Sequence, residues 1–308
     1  MRIPNSVRIV AGLFAVALLA TACGSDESEA QLAADSGSSF AGPLTIGAIP
    51  DQDAEILVRN YDKLAVYLAN ELGIEVEFKP VTQYDAAVTA FKVGDLDLAW
   101  FGGLTGVQAR LEVDGAEALA QRNIDPEFTS VFIASTGTEF GPVDDVAALS
   151  SLEGSRFTFG SESSTSGRLM PQYFLGEAGI EFDSFDGEAG FSGSHDKTIA
   201  LVEAGTYEVG VLNSQVWEAR TADGSFDQSK VEVIFETPTY YDYHWVVRPE
   251  IDSGLQQAIL AALVGLDASN PDEAEILSFF GAESFIPTES SNYDEIEEIG
   301  REIGKITE

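Results

Sequence analysis

One cysteine and two histidines are all that this chain of 308 residues holds of the side chains most used for metal binding and nucleophilic catalysis. The lone cysteine, Cys23, excludes an internal disulfide, a cysteine-rich zinc site and a thiol nucleophile in the body of the chain. With only His195 and His244, no His-Glu-x-x-His pattern exists, and neither a Gly-rich phosphate loop with its Lys nor a Gly-x-Ser-x-Gly turn occurs. Basic residues are scarce as well. Sixteen Lys and Arg against 52 Asp and Glu leave a net charge of −36, which rules out a basic groove for nucleic acid and argues against anionic lipid as a partner. Paired carboxylates are unavoidable in so acidic a chain and say nothing about catalysis. An enzyme is therefore disfavoured, and no cofactor is implied. What is present is a folding composition: 44% hydrophobic and 10% aromatic residues, enough for a real core and, by length, for two domains.

The longest-looking apolar stretch, Ile9 to Ala22, follows Arg2 and Arg8 and falls short of the ~20 residues that span a bilayer. It reads as an export signal. Its end, Ala20-Thr21-Ala22, runs into Cys23 and resembles the lipobox of bacterial lipoproteins, whose cysteine is acylated before cleavage. Ala20 stands where Leu is usual; a non-lipidated signal cut near Ala22 is the alternative. From Gly24 to Gly42 the chain is mostly Ser, Asp, Glu, Ala and Gly with one aromatic, Phe40, too little apolar surface to offset the entropy of ordering. The expected organisation is a lipoprotein signal peptide over 1–22, a lipidated Cys23 with a flexible tether over 23–43, and a folded body held at the extracytoplasmic face of the cell membrane by its lipid.

Within that body, short apolar runs alternate with helical patterns. Leu44–Ile49, Ile74–Phe78, Leu96–Phe101, Val131–Ser135, Arg156–Phe159, Val209–Leu212, Val231–Phe235 and Tyr243–Val247 read as strands. Leu57, Tyr61, Leu64, Leu68 and Leu72 recur at helical spacing between an N-cap candidate, Asp53, and a stop, Gly73. Weaker patterns of the same kind start near Ala86, Gly106, Leu169, Thr198, Gln215, Leu255, Ala274 and Tyr293. The alternation predicts an α/β fold with mostly parallel sheets, whose ligands sit at strand carboxyl ends against helix N-termini.

Three loops lie at such places. Trp100-Phe101-Gly102-Gly103-Leu104 follows a strand, and its glycines let backbone N–H groups approach a ligand; a tight turn with no ligand would read the same way. Gly160 to Arg168 carries Ser163, Ser164, Thr165 and Ser166 at a helix start, where hydroxyls, amides and the helix dipole could cradle an anion or simply cap the helix. Pro171 requires that helix to begin near Arg168 or to kink. Gly193-Ser194-His195-Asp196 places His195 at the first helical position after an N-cap Ser194, where the dipole disfavours its imidazolium, so that a donor role needs no charge. A solitary surface histidine is the competing reading.

Taken together, Thr158 to Pro171, Gly193 to Asp196, Asp97 to Gly102 and Tyr240 to Tyr243 resemble the solute receptors of phosphonate and phosphite ABC importers. Asp95 to Arg110, Phe159 to Pro171 and Phe191 to Gly205 are most similar to the branch of that family named for selenate. The resemblance runs from Leu44 to about Pro249, and more loosely to the C-terminus. It implies a type II periplasmic-binding-protein fold, two α/β lobes joined by two crossover strands, with lobe one at 44–136 plus 238–308 and lobe two at 137–237. It also implies the site: Ser164, Thr165 and Ser166 match the family's oxyanion-binding triplet and His195 its ligand histidine, with Gly102 in the first loop. Phe101 takes a position that is often Tyr, losing a hydroxyl donor. Asp242 matches an acidic position facing the ligand's far end, and Tyr241 before it is expected in the same site. Arg168 replaces an uncharged residue and could pair with a divalent oxyanion.

An inward Asp242 carboxylate accepts a hydrogen bond from a protonated oxyanion and repels one with no proton to give, favouring phosphate, phosphite, phosphonate or selenite over sulfate or selenate. The expectation is a monomeric solute-binding lipoprotein that traps a small oxyanion between its lobes and delivers it to an ABC permease. A tethered sensor presenting its closed form to a membrane receptor is the alternative. Enzymes of the same architecture that depend on a thiol would need a cysteine in the body, which is lacking.

Overall fold

The computed structural model describes residues 42–307; the expected signal peptide, Cys23 and the expected tether up to residue 41 lie outside them. The chain first lays down β1 (Leu44–Ala48), α1 (Ala54–Leu72), β2 (Val76–Phe78), α2 (Tyr84–Val93), β3 (Leu98–Phe101), α3 (Gly103–Glu112) and β4 (Glu117–Arg122). It crosses to build β5 (Ser130–Ser135), β6 (Phe157–Phe159), α4 (Met170–Glu177), β7 (Gly190–Phe191), α5 (His195–Glu203), β8 (Val209–Asn213), α6 (Ser214–Asp223) and β9 (Val231–Glu236). It then returns for β10 (His244–Val247), α7 (Ser253–Val264), α8 (Pro271–Phe280), β11 (Phe285–Pro287) and α9 (Asp294–Glu302). Two sheets result, ordered β11-β4-β10-β3-β1-β2 and β7-β6-β8-β5-β9.

The local rules that predict α1 operate as written. Asp53 Oδ1 accepts from the amides of Glu55 and Ile56 at 2.9 and 3.3 Å, and Gly73 ends the helix at φ 66°. Leu57, Tyr61, Leu64 and Leu68 are buried beneath it, each contributing roughly 1.5–3 kcal/mol. All eight expected strands form, with ends shifted by a residue or two. Three strands escape the sequence reading. β4, Glu-Ala-Leu-Ala-Gln-Arg, has helix-favouring composition and becomes a strand because β10 and β11 flank it. β7 is two residues long, and β11 ends in Pro287 at a sheet edge, where a missing N–H is tolerated.

Two expectations need correction. The sheets are mixed rather than mostly parallel: β10 runs antiparallel to β3 and β4, and β5 antiparallel to β8 and β9, because each crossover brings the chain back in the opposite direction. The first lobe also ends earlier than residue 136. β5 is the second sheet's penultimate strand, paired on both sides, so the chain leaves lobe one in the segment 123–129. The return segment, 237–243, runs beside it. Phe128 and Tyr240 exchange backbone hydrogen bonds of 3.0 Å, and Asp242 N–H reaches Asp125 O at 3.2 Å. Beneath them lies a buried Arg122–Asp125 ion pair at 2.5 Å, with Arg122 Nη1 donating to Phe280 O at 2.8 Å and the Tyr243 ring 4.7 Å from the guanidinium. A buried pair adds little net stability. What it does here is hold the two crossovers against one sheet.

The lobes meet along several bonds. Asp53 N–H donates to Asp196 Oδ2 at 2.8 Å, Arg220 Nη2 donates to Gln52 Oε1 at 3.2 Å while its Nε donates to Asp196 Oδ1 at 2.6 Å, and Ser163 bonds Asp85. The helix α3 sits close to β10 only because residue 106 is glycine: a Cβ there would lie 2.3 Å from the His244 ring, itself stacked on Tyr293 at 3.7 Å. Gly106→Ala is therefore expected to cost about 1–3 kcal/mol by overpacking. Urea unfolding measures it, and an unchanged midpoint would show that the ring can move aside.

Candidate functional site

The three loops singled out in the sequence converge where the lobes meet. Gly102 caps α3, and the first free amides of that helix point across the boundary: Gly103 N–H donates to Asp242 Oδ1 and Leu104 N–H to Thr165 Oγ1, both at 2.9 Å. A Cβ on Gly102 would stand 3.0 Å from Thr165 Oγ1 and 3.1 Å from Asp242 Oδ1, so this approach requires glycine.

The hydroxyl loop owes its shape to Pro171. Between Thr165 and Leu169 the chain makes a wide turn in which Leu169 N–H reaches Ser164 O at 2.9 Å and Met170 N–H reaches Thr165 O, each five residues back. Pro171 has no N–H to give to the carbonyls one turn behind it, and others take its place: Gly160 N–H bonds Gly167 O, and Ser130 Oγ bonds Ser166 O, both at 2.7 Å. Ser164 Oγ caps the turn by accepting from Gly167 N–H at 2.9 Å. Tyr240 OH, 2.6 Å from Ser130 Oγ, ties the loop to the return crossover.

Ser194 caps α5 as expected, and His195 N–H donates to Asp51 O of lobe one at 3.0 Å. Its ring is enclosed. Asn213 N–H donates to Nδ1 at 3.3 Å, which leaves the neutral ring's proton on Nε2. A Cβ on Gly167 would lie 3.2 Å from His195 Cε1, so the ring abuts the hydroxyl loop.

Ser164, Thr165, Ser166, His195 and Asp242 are all buried, and two of their atoms, Ser166 Oγ and Asp242 Oδ2, have no hydrogen-bond partner. Burial pushes His195 down to about 4, with the nearby Asp196 charge opposing only in part, so the imidazole is neutral at ordinary pH. Burial pushes Asp242 up to about 7 against the Gly103 amide bond, with Asp125 adding repulsion and Thr165 and Arg122 opposing. Asp51 rises to about 6 for the same first cause, with the Tyr243 hydroxyl and Arg122 opposing. The chemistry is that of a dry cradle of neutral donors beside a carboxyl that gains or loses its proton near neutrality.

Three of the expected site residues lie elsewhere. The Phe101 ring packs edge-on to Phe91, 5.7 Å between centroids, in the core of lobe one. Tyr241 turns toward Tyr293 at 5.8 Å. Arg168 is buried in lobe two with its guanidinium 4.5, 4.4 and 5.3 Å from the rings of Phe159, Phe182 and Phe191, an aromatic cage rather than an anion clamp. Burial also lowers it to about 10 despite Glu162. In exchange the fold supplies residues that the sequence reading passed over: Tyr84 at the start of α2, placed by Ser164, and Asp51, Asn213 and Tyr243 around His195. Tyr84 and Tyr243 are buried aromatics that stand beside Ser164 and His195 only because the two lobes pack against each other. Among the described residues no group of three or more His, Cys, Asp or Glu is arranged to hold a metal, and no helix is long and apolar enough to cross a membrane.

Residues 46–293 match the family described as ABC transporter, phosphonate, periplasmic substrate-binding protein. The chain belongs to this family. It is 46% identical over 268 residues to the probable ABC transporter phosphite binding protein PhnD1 of Prochlorococcus marinus, covering 85% of this chain and 90% of that protein. The structure of PhnD1 in complex with methylphosphonate superposes with a TM-score of 0.83 over 85% of this chain and 98% of that one. The phosphate-import protein PhnD of Mycolicibacterium smegmatis is 29% identical over 218 residues, 68% of this chain and 66% of that protein. The family consists of extracytoplasmic binding components of importers, not enzymes.

The raised Asp242 has a consequence for stability. In the unfolded chain its carboxyl ionises near 3.8 and in the folded protein near 7, so across that window the folded state keeps a proton that the unfolded state has released. Stability from this group is present below the lower value and is lost as pH rises toward the upper one. Asp242→Asn is expected to raise the melting temperature of the ligand-free protein more at about pH 8 than at about pH 5. Equal shifts at both would show that Asp242 is ionised throughout.

Proposed function

We propose that this protein is a lipid-anchored receptor that captures a small tetrahedral oxyanion, a phosphite or a phosphonate with a small substituent, and delivers it to the membrane permease of an ABC importer. The observation that carries the ligand class is the meeting, in one buried site, of neutral donors on Ser164, Thr165, Ser166 and His195 with the Asp242 carboxyl. Neutral donors hold an anion without help from the protein's overall field, which is strongly negative and screened beyond ~8 Å at physiological salt. A carboxylate among them selects an anion that retains a proton, because a fully deprotonated one would face it charge to charge. The 46% identity to a phosphite-binding relative supports the same class, as does that relative's structure with methylphosphonate.

Calorimetric titration of the ligand-stripped protein at about pH 8, where Asp242 is ionised, tests the reading with phosphite, methylphosphonate, phosphate, selenite, selenate and sulfate. Phosphite or methylphosphonate should bind with a Kd of about 1 μM or tighter and sulfate and selenate about 100-fold more weakly. Binding no tighter than millimolar to all six would refute it.

The anchor rests on the lipobox-like run Ala20-Thr21-Ala22-Cys23. Cys23→Ser should move the protein from the membrane fraction to the soluble one; retention in the membrane fraction would assign the attachment to something other than a lipid on Cys23.

A further inference from the structure

We infer that Tyr243 positions His195 for the ligand and does so across the lobe boundary. The inference deepens the ligand-binding reading of the site and rests on it.

Tyr243 stands at the lobe-one end of the return crossover, directly before β10. Its ring is held entirely by groups of lobe one and the crossovers: stacked on Trp100 at 5.7 Å and 18°, edge-on to Phe128 at 5.6 Å, and beneath the Arg122 guanidinium at 4.7 Å. A phenylalanine would fill that niche equally well. The hydroxyl, buried with the rest of the side chain, needs partners, and it finds them on lobe two. Asn213 Nδ2 donates to it at 2.9 Å, and His195 Nε2 lies 3.4 Å away.

Asn213 completes the frame. Its backbone N–H donates to His195 Nδ1 at 3.3 Å, its side-chain amide reaches Tyr243, and its Oδ1 caps α6 by accepting from Val216 N–H at 2.6 Å. The imidazole is thus gripped at both nitrogens, Nδ1 by lobe two and Nε2 by a hydroxyl from lobe one. With the proton on Nε2, the Tyr243 oxygen is its acceptor. The 3.4 Å separation is long for such a bond, so the same N–H can be shared with a ligand oxygen at the hydroxyl loop. Tyr243 has its own proton to place, and the hydroxyl favours the ionised form of Asp51, whose backbone carbonyl already holds the His195 amide. Asp51, Tyr243, His195 and Asn213 form one chain of contacts running from lobe one to lobe two, and it is complete only when the lobes are together.

Tyr243→Phe keeps the ring and removes the hydroxyl. Methylphosphonate affinity by calorimetry should fall about tenfold, with faster release in stopped-flow displacement. Long-range proton–nitrogen NMR supplies the reading that loss of packing alone would not move. The chain has two imidazoles, and His195→Gln identifies the signals of His195. The Nε2 and Hε2 signals should move as their acceptor is lost, with the tautomer still set by the Asn213 amide at Nδ1, while those of His244 stay. Wild-type affinity together with unmoved His195 signals would overturn the inference. Should the Phe variant fail to fold, Asn213→Asp carries the same test. It keeps the cap on α6 but replaces the amide that donates to the Tyr243 hydroxyl with an acceptor, and should weaken binding in the same direction; unchanged affinity would again overturn the inference. A wild-type protein that binds none of the oxyanions would overturn the ligand reading and this role with it, whereas a wild type that binds and variants that match it would overturn only the role of Tyr243.

Discussion

The bond from the Leu104 amide to the Thr165 hydroxyl joins the first turn of α3 to the opposite lobe, and much of the molecule serves to bring those two groups within 2.9 Å. An amide at a helix start has no partner in its own helix, and a hydroxyl on a loop has many rotamers, so neither fixes the other by local preference. Their meeting depends on Gly102, whose missing Cβ leaves space for Thr165 and Asp242, and on the wide turn that aims Thr165 outward. It depends equally on the paired crossovers, locked by the Phe128–Tyr240 bonds and the Arg122–Asp125 pair, which set how the sheets face each other. A disturbance in any of these reaches the site through the same few contacts.

Charge in this protein is divided by depth. The surface carries the excess of acids, and the site contains neutral donors with the buried carboxyls of Asp242 and Asp51 beside them. Burial decides the outcome: it removes the proton from His195 and tends to keep one on Asp242, so the cradle is close to neutral before any ligand arrives. The cation nearest in sequence, Arg168, could have upset this balance. Three phenylalanine rings hold it in lobe two, which keeps a fixed positive charge off the anion and leaves selection to hydrogen bonds.

Legibility differed from one part of the site to another for identifiable reasons. Ser164 to Ser166 and His195 stand at helix starts, where capping chemistry and backbone donors are written in consecutive residues, and the structure brings them together. Asp242 was legible only by resemblance, since an acid in a loop of so acidic a chain carries no local signal. Phe101 was misplaced because a side chain's direction at a strand end depends on register, and one residue reverses the face, and Tyr241 because a residue in the irregular return segment has no periodicity to read. The early crossover and the mixed sheets were missed for a related reason: β5 looks the same in sequence whichever sheet claims it, and pairing partners decide.

Spacing of apolar residues, caps and stops settled where helices and strands form, because those preferences act over four to eight neighbours and need no distant partner. Composition likewise argued against a thiol enzyme and a nucleic-acid binder. Tertiary structure alone decided which loops meet, which way Arg168 points, and that Asp51, Tyr84, Asn213 and Tyr243 belong beside His195. Those contacts join residues 9 or more positions apart, such as Arg168 and Phe159, and Leu104 and Thr165 at 61. Their energies exist only where the two lobes pack against each other and bury these groups, so nothing in the neighbouring sequence can announce them.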